Sequence, residues 1–386
     1  MSSIEVVKLD TCVEVLSGFA FSSKDFNNDE KGMPLIRIRN VVKSKIETYY
    51  SGEYDDKYII KKGDLLVGMD GDFNRQKWDN EPALLNQRVC KITPIVNKIS
   101  DSYLYHLLPK ELDLIHAITP CVTVKHLSVQ KIKDIELILP SLNEQKRIAD
   151  ILDKAEAVNQ KRAQVLALCD DFLRATFLDM FGDPVSNPKG WEVDKLKNLT
   201  SKLGSGSTPR GGKESYLDSG MTLVRSLNIY DDEFVKKGLA FISKVQADKL
   251  SNVALEADDV LLNITGASVC RCAMMDNSLL PARVNQHVCI IRPTGIDNLF
   301  LLHLLISNNY KRKLMTLATS GGATREALTK EDITELDIIV PPIQLQQKFS
   351  SIVEKINGIK ARIQDAQELP LFDALSQQAF KGELTQ

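Results

Sequence analysis

The chain is written twice, and that constrains its fold more than any other feature. Lys125–Gln145 lies over Glu326–Gln346 at a constant offset of 201, so that Leu127 meets Leu328, Ile132 meets Ile333, Ile135 meets Leu336, Pro140 meets Pro341 and Gln145 meets Gln346. Upstream, Gly63-Asp64-Leu65-Leu66 answers Asp258-Asp259-Val260-Leu261, and Asn86-Gln87 answers Asn285-Gln286. Downstream, Phe172 and Gly182 answer Phe372 and Gly382 at an offset of 200. The blocks keep their order and the offsets drift by only a few residues, which is the mark of an internal repeat.

Each copy divides into a loop-rich module and a long helical segment. In the first module, β-favouring runs (Leu35–Val42, Tyr58–Ile60, Leu65–Val67, Ile135–Leu139) are separated by Gly, Asn and Asp clusters such as Met69–Asn74. Leu223–Leu227, Val260–Ile264 and Val288–Arg292 take the same part in the second. A helical stretch precedes each closing strand, Ser102–Leu108 and Asn298–Leu317. The expected class is α+β: two similar mixed α/β modules, residues 1–140 and 183–341, with long helical segments at 141–182 and 342–386.

The helices are clearer still. Ser141-Leu142-Asn143-Glu144 reads as a capping box, in which the Ser and Glu side chains satisfy each other's backbone N–H groups. From there Ile148, Leu152, Ala155, Leu166, Cys169 and Leu173 recur at three- and four-residue steps, and Phe181-Gly182-Asp183-Pro184 is a helix stop. A helix of this length is a rod of roughly 60 Å. The second copy carries Phe349, Ile352, Ile356, Ile359 and Ile363 before Pro370 breaks it. A stripe of this period needs a partner helix, and the reading here is that the two copies pair as an antiparallel coiled coil about a pseudo-twofold axis.

Composition excludes several classes. The longest apolar stretch, Leu299–Ile306, is interrupted by His303 and falls far short of the ~18–20 residues of a membrane helix. No apolar core follows a basic start in MSSIEVVKLD, so no signal peptide is expected. The seven cysteines are scattered, and Cys270 and Cys272 form a lone C-x-C without a second ligand pair, which fits reduced thiols in the cytoplasm. Lys and Arg total 49 against 51 Asp and Glu, a net charge of −2 that weakens the simplest argument for nucleic acid.

No catalytic site is legible. The loop Gly204–Lys213 fails as a phosphate cradle: with Gly212-Lys213 as the final pair the first required Gly falls on Ser207, and Glu214 follows where Ser or Thr is needed. No Asn/Asp-Pro-Pro-aromatic tetrapeptide of an amine methyltransferase occurs. Asp134 with Glu144 and Lys146 loosely suggests a nuclease, and a capped helix start explains the same residues. The five histidines show no i, i+4 ligand pairing.

What remains is local charge. Lys195, Lys197, Lys202, Arg210 and Lys213 lie in an acid-free stretch with Ser205, Ser207 and Thr208. Lys31, Arg37, Arg39, Lys43 and Lys45 form another beside Asn40, with Arg37 and Arg39 on one face of an expected strand. Asn74, Arg75, Gln76, Lys77 and Trp78 set planar hydrogen-bonding groups beside aromatics, and Arg271 and Arg283 stand near the matching place in the second module. Arg reads guanine and Asn or Gln reads adenine in the major groove, while Lys, Ser and Thr more often hold phosphate. Lys24, Arg225, Asn228 and Arg325 complete the candidate DNA contacts.

These features together resemble the specificity subunit of a type I restriction–modification system over the whole chain. The resemblance rests on Pro140–Ala149 at the central helix start, Phe177–Pro184 at its end, Gly204–Pro209 opening the second module and Ala379–Leu384 at the C-terminus. It departs at Leu345, where Glu is usual, and at Ser17-Gly18-Phe19-Ala20, which replaces a Gly-Ser-Thr-Pro loop. The resemblance implies two target-recognition domains, each reading half of a gapped DNA target, and paired helices that set the gap and dock two modification subunits. It further implies that this chain catalyses nothing and carries no cofactor or metal. S-adenosylmethionine, Mg and ATP would belong to the modification and restriction subunits of a prokaryotic cytoplasmic complex. Two other classes stay open at this point: a DNA-processing enzyme using Asp134 and Glu144, and a coiled-coil scaffold with protein-binding modules.

Overall fold

The computed structural model describes residues 6–42, 45–120, 124–320, 326–365 and 371–380. They form two compact units, residues 1–162 with 367–386 and residues 163–366.

The first unit is built on a four-stranded antiparallel sheet in the order Val13–Ser17, Val89–Pro94, Leu65–Gly68, Arg75–Lys77. Its central strands are buried on both faces, as in Leu65, Leu66 and Val67, so they read as continuous apolar runs rather than an alternation. Against it lies a second sheet in which Met33–Ile36 pairs parallel with Ala83–Leu85. Val6–Lys8 and Glu136–Ile138 close the unit as an antiparallel pair. Helix Asp101–Ile118, capped by the Ser100 hydroxyl accepting from the Tyr103 N–H at 3.2 Å, packs Tyr103, Leu104, Leu107 and Leu108 into the core.

The second unit repeats this plan. Its four-stranded sheet runs Thr200–Ser205, Val288–Pro293, Val260–Asn263, Cys272–Met274; Met221–Val224 pairs parallel with Ala282–Val284, and Val193–Lys195 pairs with Asp337–Ile339. Helix Asn298–Ile306 is capped by Asp297, whose carboxylate accepts from the Phe300 N–H at 3.0 Å.

The long helices run over Leu142–Phe181 and Ile343–Asp365, with a further helix at Leu371–Phe380. Within the second unit they lie antiparallel: Phe177 and Phe181 meet Phe349 at ring-centroid distances of 5.5 and 5.6 Å, while Lys360 pairs with Asp170 at 2.9 Å.

Several expectations change. Ile148 and Leu152 join the core of the first unit's own module, alongside Ala379, because they face helix Asp101–Ile118. Cys169 and Leu173 are buried, and so are Phe177 and Phe181 further along the same helix and Val353 on the second, which the stripe omitted. Ile359 is 44% exposed, so the stripe weakens toward its end. Helix Asp101–Ile118 carries Pro109 inside it and continues, with Leu112 buried beyond the proline. The stretch 298–317 breaks at Ser307, whose backbone is extended. Glu144 donates its N–H to Ser141 Oγ at 3.4 Å, but its carboxylate turns to Arg147 at 2.7 Å, leaving the capping box half closed.

Candidate nucleic-acid interface

One turn recurs in both units, and a loop lies on it. After Ala83–Leu85 the chain turns through Asn86-Gln87-Arg88; after Ala282–Val284 it turns through Asn285-Gln286-His287. Each Asn is buried, its side-chain oxygen accepting a following backbone N–H, from Gln87 at 2.9 Å and from His287 at 3.2 Å. An Asn side chain that closes a turn on its own backbone leaves the next residues pointing outward. Gln87, Arg88 and Gln286 are exposed.

Gly18 donates its N–H to Val89 O and Gly206 to Val288 O, each at 2.9 Å; the N–H groups of Phe19 and Ser207 reach Leu85 O and Val284 O at 3.0 Å. A Cβ on Gly18 would stand 2.0 Å from Asn86 O, and one on Gly206 2.3 Å from Asn285 O. Only glycine allows this approach. The segment Ser17–Ala20 therefore occupies the same place in its unit as Ser205–Thr208, despite its different sequence.

Polar groups gather round each turn. In the first unit Arg88 Nη1 lies 3.1 Å from His126 Nδ1, and His126 Nδ1 lies 2.7 Å from Asp70 Oδ1. In the second, Thr265 Oγ1 lies 2.6 Å from His287 Nδ1. Reasoning from charge runs missed Gln87, Arg88, His126, Gln286 and His287. The available signal was the Asn-Gln pair present in both halves.

The expected residues that the structure describes divide into three groups. Lys24, Arg37 and Arg210 are exposed and make no ion pair among the described residues. Asn74 and Ser205 are also exposed, and Ser207, Thr208 and Gln76 are half-buried.

A second group is engaged within the protein. Arg37 does not share a strand with Arg39: the strand ends at Ile36, and Arg39 lies in helix Ile38–Val41, where it pairs with Glu47 at 3.3 Å. The Lys45 hydrogen bond, with Asn40 and Arg39, holds the Glu47 carboxyl below the ordinary carboxylate range. The Arg75 guanidinium stacks 3.5 Å from the Tyr105 ring centroid, and Lys77 pairs with Asp101. Arg225 donates to Gly238 O, and Arg271 lies 4.4 Å from the Tyr230 ring centroid. Lys195 and Lys197, acid-free along the chain, meet Asp337 and Glu335 at 2.6 Å through the pairing of Val193–Lys195 with Asp337–Ile339.

A third group is structural and is withdrawn from the candidate readers. Trp78 is 1% exposed, packs with Ile36, Ile60 and Leu66, and donates its indole N–H to Glu81 O at 2.7 Å. Asn40 and Asn228 are buried, their oxygens accepting from the Arg37 and Arg225 N–H at 3.1 and 3.0 Å. Arg283 donates to Ala247 O and Ala282 O. Their polar groups are already matched internally, which is what burial demands. Lys43, Arg325 and the Lys213 side chain lie outside the described residues.

Asp134 and Glu144 each meet a cation, Lys8 at 3.3 Å and Arg147 at 2.7 Å. Among the described residues the cysteines are free and buried, and burial pushes Cys90 and Cys289 up to about 12. No described helix is long and apolar enough to cross a membrane.

A mixed α/β module written twice, each copy leading into a long helix, is a two-part architecture. The chain belongs to the family of the type I restriction modification DNA specificity domain, whose sequence model matches residues 1–167 and 188–368, once in each repeat. The specificity subunit of the type I restriction enzyme EcoBI from Escherichia coli is 30% identical over 422 residues, covering 98% of this chain and 86% of that one. The fold matches the type I restriction–modification S subunit from M. genitalium with a TM-score of 0.60 at 15% identity, covering 98% of this chain and 97% of that one. A chain from a type I system, solved for its complex assembly and conformational transition, matches with a TM-score of 0.53 at 15% identity, covering 99% of both.

Proposed function

We propose that this chain is the DNA-recognition subunit of a type I restriction–modification complex and is not itself an enzyme. The observation that carries the reading is the family match falling once on each structural repeat. Each unit reads one half of a bipartite target in the major groove, with phosphate held by Lys, Ser and Thr and bases read by Arg, Gln and His at the turn. The long helices set the gap and dock two adenine-methylating subunits. The exposed apolar side chains Val165, Leu168 and Phe172 on the central helix support such docking, since a helix rarely leaves this stripe to water. S-adenosylmethionine, Mg and ATP belong to the modification and restriction subunits, in the cytoplasm of a prokaryotic cell.

Methylome sequencing with and without this gene and its modification partner tests the reading. A gapped motif should gain N6-methyladenine; no such motif would overturn it. Removing seven residues, two turns, from Ile151–Asp171 shortens the rod by about 10 Å. The gap should contract by about 3 base pairs at ~3.4 Å each, with both half-sites kept. Loss of half-site preference would refute the spacer role.

A further inference from the structure

Two glutamines at matching places in the repeat make matching buried joints. Gln145 and Gln346 stand one turn into their long helices and are both 0% exposed. Gln145 Oε1 accepts from the Ser100 N–H at 2.8 Å, and its Nε2 donates to Lys98 O at 3.1 Å and Pro140 O at 2.9 Å. Gln346 Oε1 accepts from the Asp297 N–H at 2.9 Å, and its Nε2 donates to Pro341 O at 2.6 Å. Ser100 and Asp297 are the caps of helices Asp101–Ile118 and Asn298–Ile306. Pro140 and Pro341 follow the closing strands Glu136–Ile138 and Asp337–Ile339. Each amide therefore ties three elements at one point: the long helix, the module helix and the closing strand.

We infer that Gln145 and Gln346 are positioning residues that fix the angle at which each reader is carried on its spacer helix; this rests on the reading of the chain as a two-part DNA reader. Apolar packing alone is non-directional and tolerates small rotations. A fully satisfied buried amide has fixed partners and fixed directions. The difference matters because the reading face is distant from the joint. At a lever arm of about 20 Å, set by the size of a ~140-residue module, a 10° rotation displaces the face by about 3.5 Å. That is about one base-pair step of ~3.4 Å.

The test uses Gln145→Met and Gln346→Met, which keep length and volume and remove the amide. In the whole chain, spin labels at Ile118→Cys and Lys161→Cys in a Cys121→Ser background report the angle between module helix and central helix. The wild-type joint should give one narrow distance, and Gln145→Met should broaden it at least twofold. In the complex with its methyltransferase partner, a library of targets with spacers one base pair longer or shorter should be methylated at least tenfold better by either variant than by wild type, relative to the best spacer. Half-site preference should not change. An unaltered distance width, unaltered spacer selectivity, lost half-site preference, or loss of the folded state in both variants would overturn the inference. If the wild-type complex methylates no gapped target, the functional reading fails, while the distance measurement still decides the joint.

Discussion

Replacing Phe349 with Ala should damage the second unit far more than replacing Ile359 with Ala, although both belong to one apolar stripe. Phe349 is 0% exposed and its ring meets Phe177, Phe181 and His303 at 5.5, 5.6 and 5.2 Å, while Ile359 is 44% exposed. Truncating a buried Phe removes about 3–5 kcal/mol, through lost transfer free energy and the cavity left behind. Ring pairs supply about 0.5–1.5 kcal/mol of it beyond area burial. Ile359→Ala exposes little that is not already wet, so about 1 kcal/mol is expected by the same scale. For a unit of about 200 residues each kcal/mol lowers the melting temperature by about 2–4 °C. Calorimetry should therefore show falls of about 6–20 °C for Phe349→Ala and about 2–4 °C for Ile359→Ala. Equal shifts would refute the reasoning, because they would mean that the two helices pair evenly along the stripe.

Other outcomes follow from the same structure. Burial pushes His303 below its ordinary value, outweighing Asp232 and Asp170, which raise it, while Lys360 lowers it further. The unfolded chain then binds a proton near its value of about 6.5 that the folded chain rejects, so stability falls as pH drops below about 6.5. His303→Gln should flatten the fall in melting temperature below about pH 6.5; an unchanged slope would count against the assignment. Arg37→Ala and Arg210→Ala should each weaken binding of the assembled complex by about 1–3 kcal/mol and relax one half-site if they read bases, or lower the salt slope by about one if they hold phosphate. Wild-type binding by both would remove them from the interface. Trp78→Ala should lower urea stability of the first unit by about 3–5 kcal/mol, whereas a reader on the surface would change DNA affinity with stability kept.

Much of the architecture was legible because it is one-dimensional. The repeat offset, the capped start at Ser141 and the stop at Gly182 depend on neighbours along the chain, and local geometry obeys them; the expected break at Pro370 lies outside the described residues. The close approach of Gly206 was signalled by a Gly-rich loop, but its equivalence with Gly18 was hidden. The two loops share a backbone path and hardly any side chains, and only the carbonyls beneath them reveal the constraint.

The sequence by itself determined the two-module plan and the long helices that join it. Repeats and helical periodicity are properties of order along the chain, so they survive without knowledge of what lies across the fold. Which of the candidate side chains stay exposed was decided only by tertiary structure. Lys195 and Lys197 look unopposed until strand pairing brings Asp337 and Glu335 to them from 142 and 138 residues away. Trp78, Asn40 and Asn228 look like readers until packing buries them, and Gln87 and Arg88 look ordinary until a turn presents them. Coulomb attraction and desolvation act on distance in space, and sequence distance does not report it.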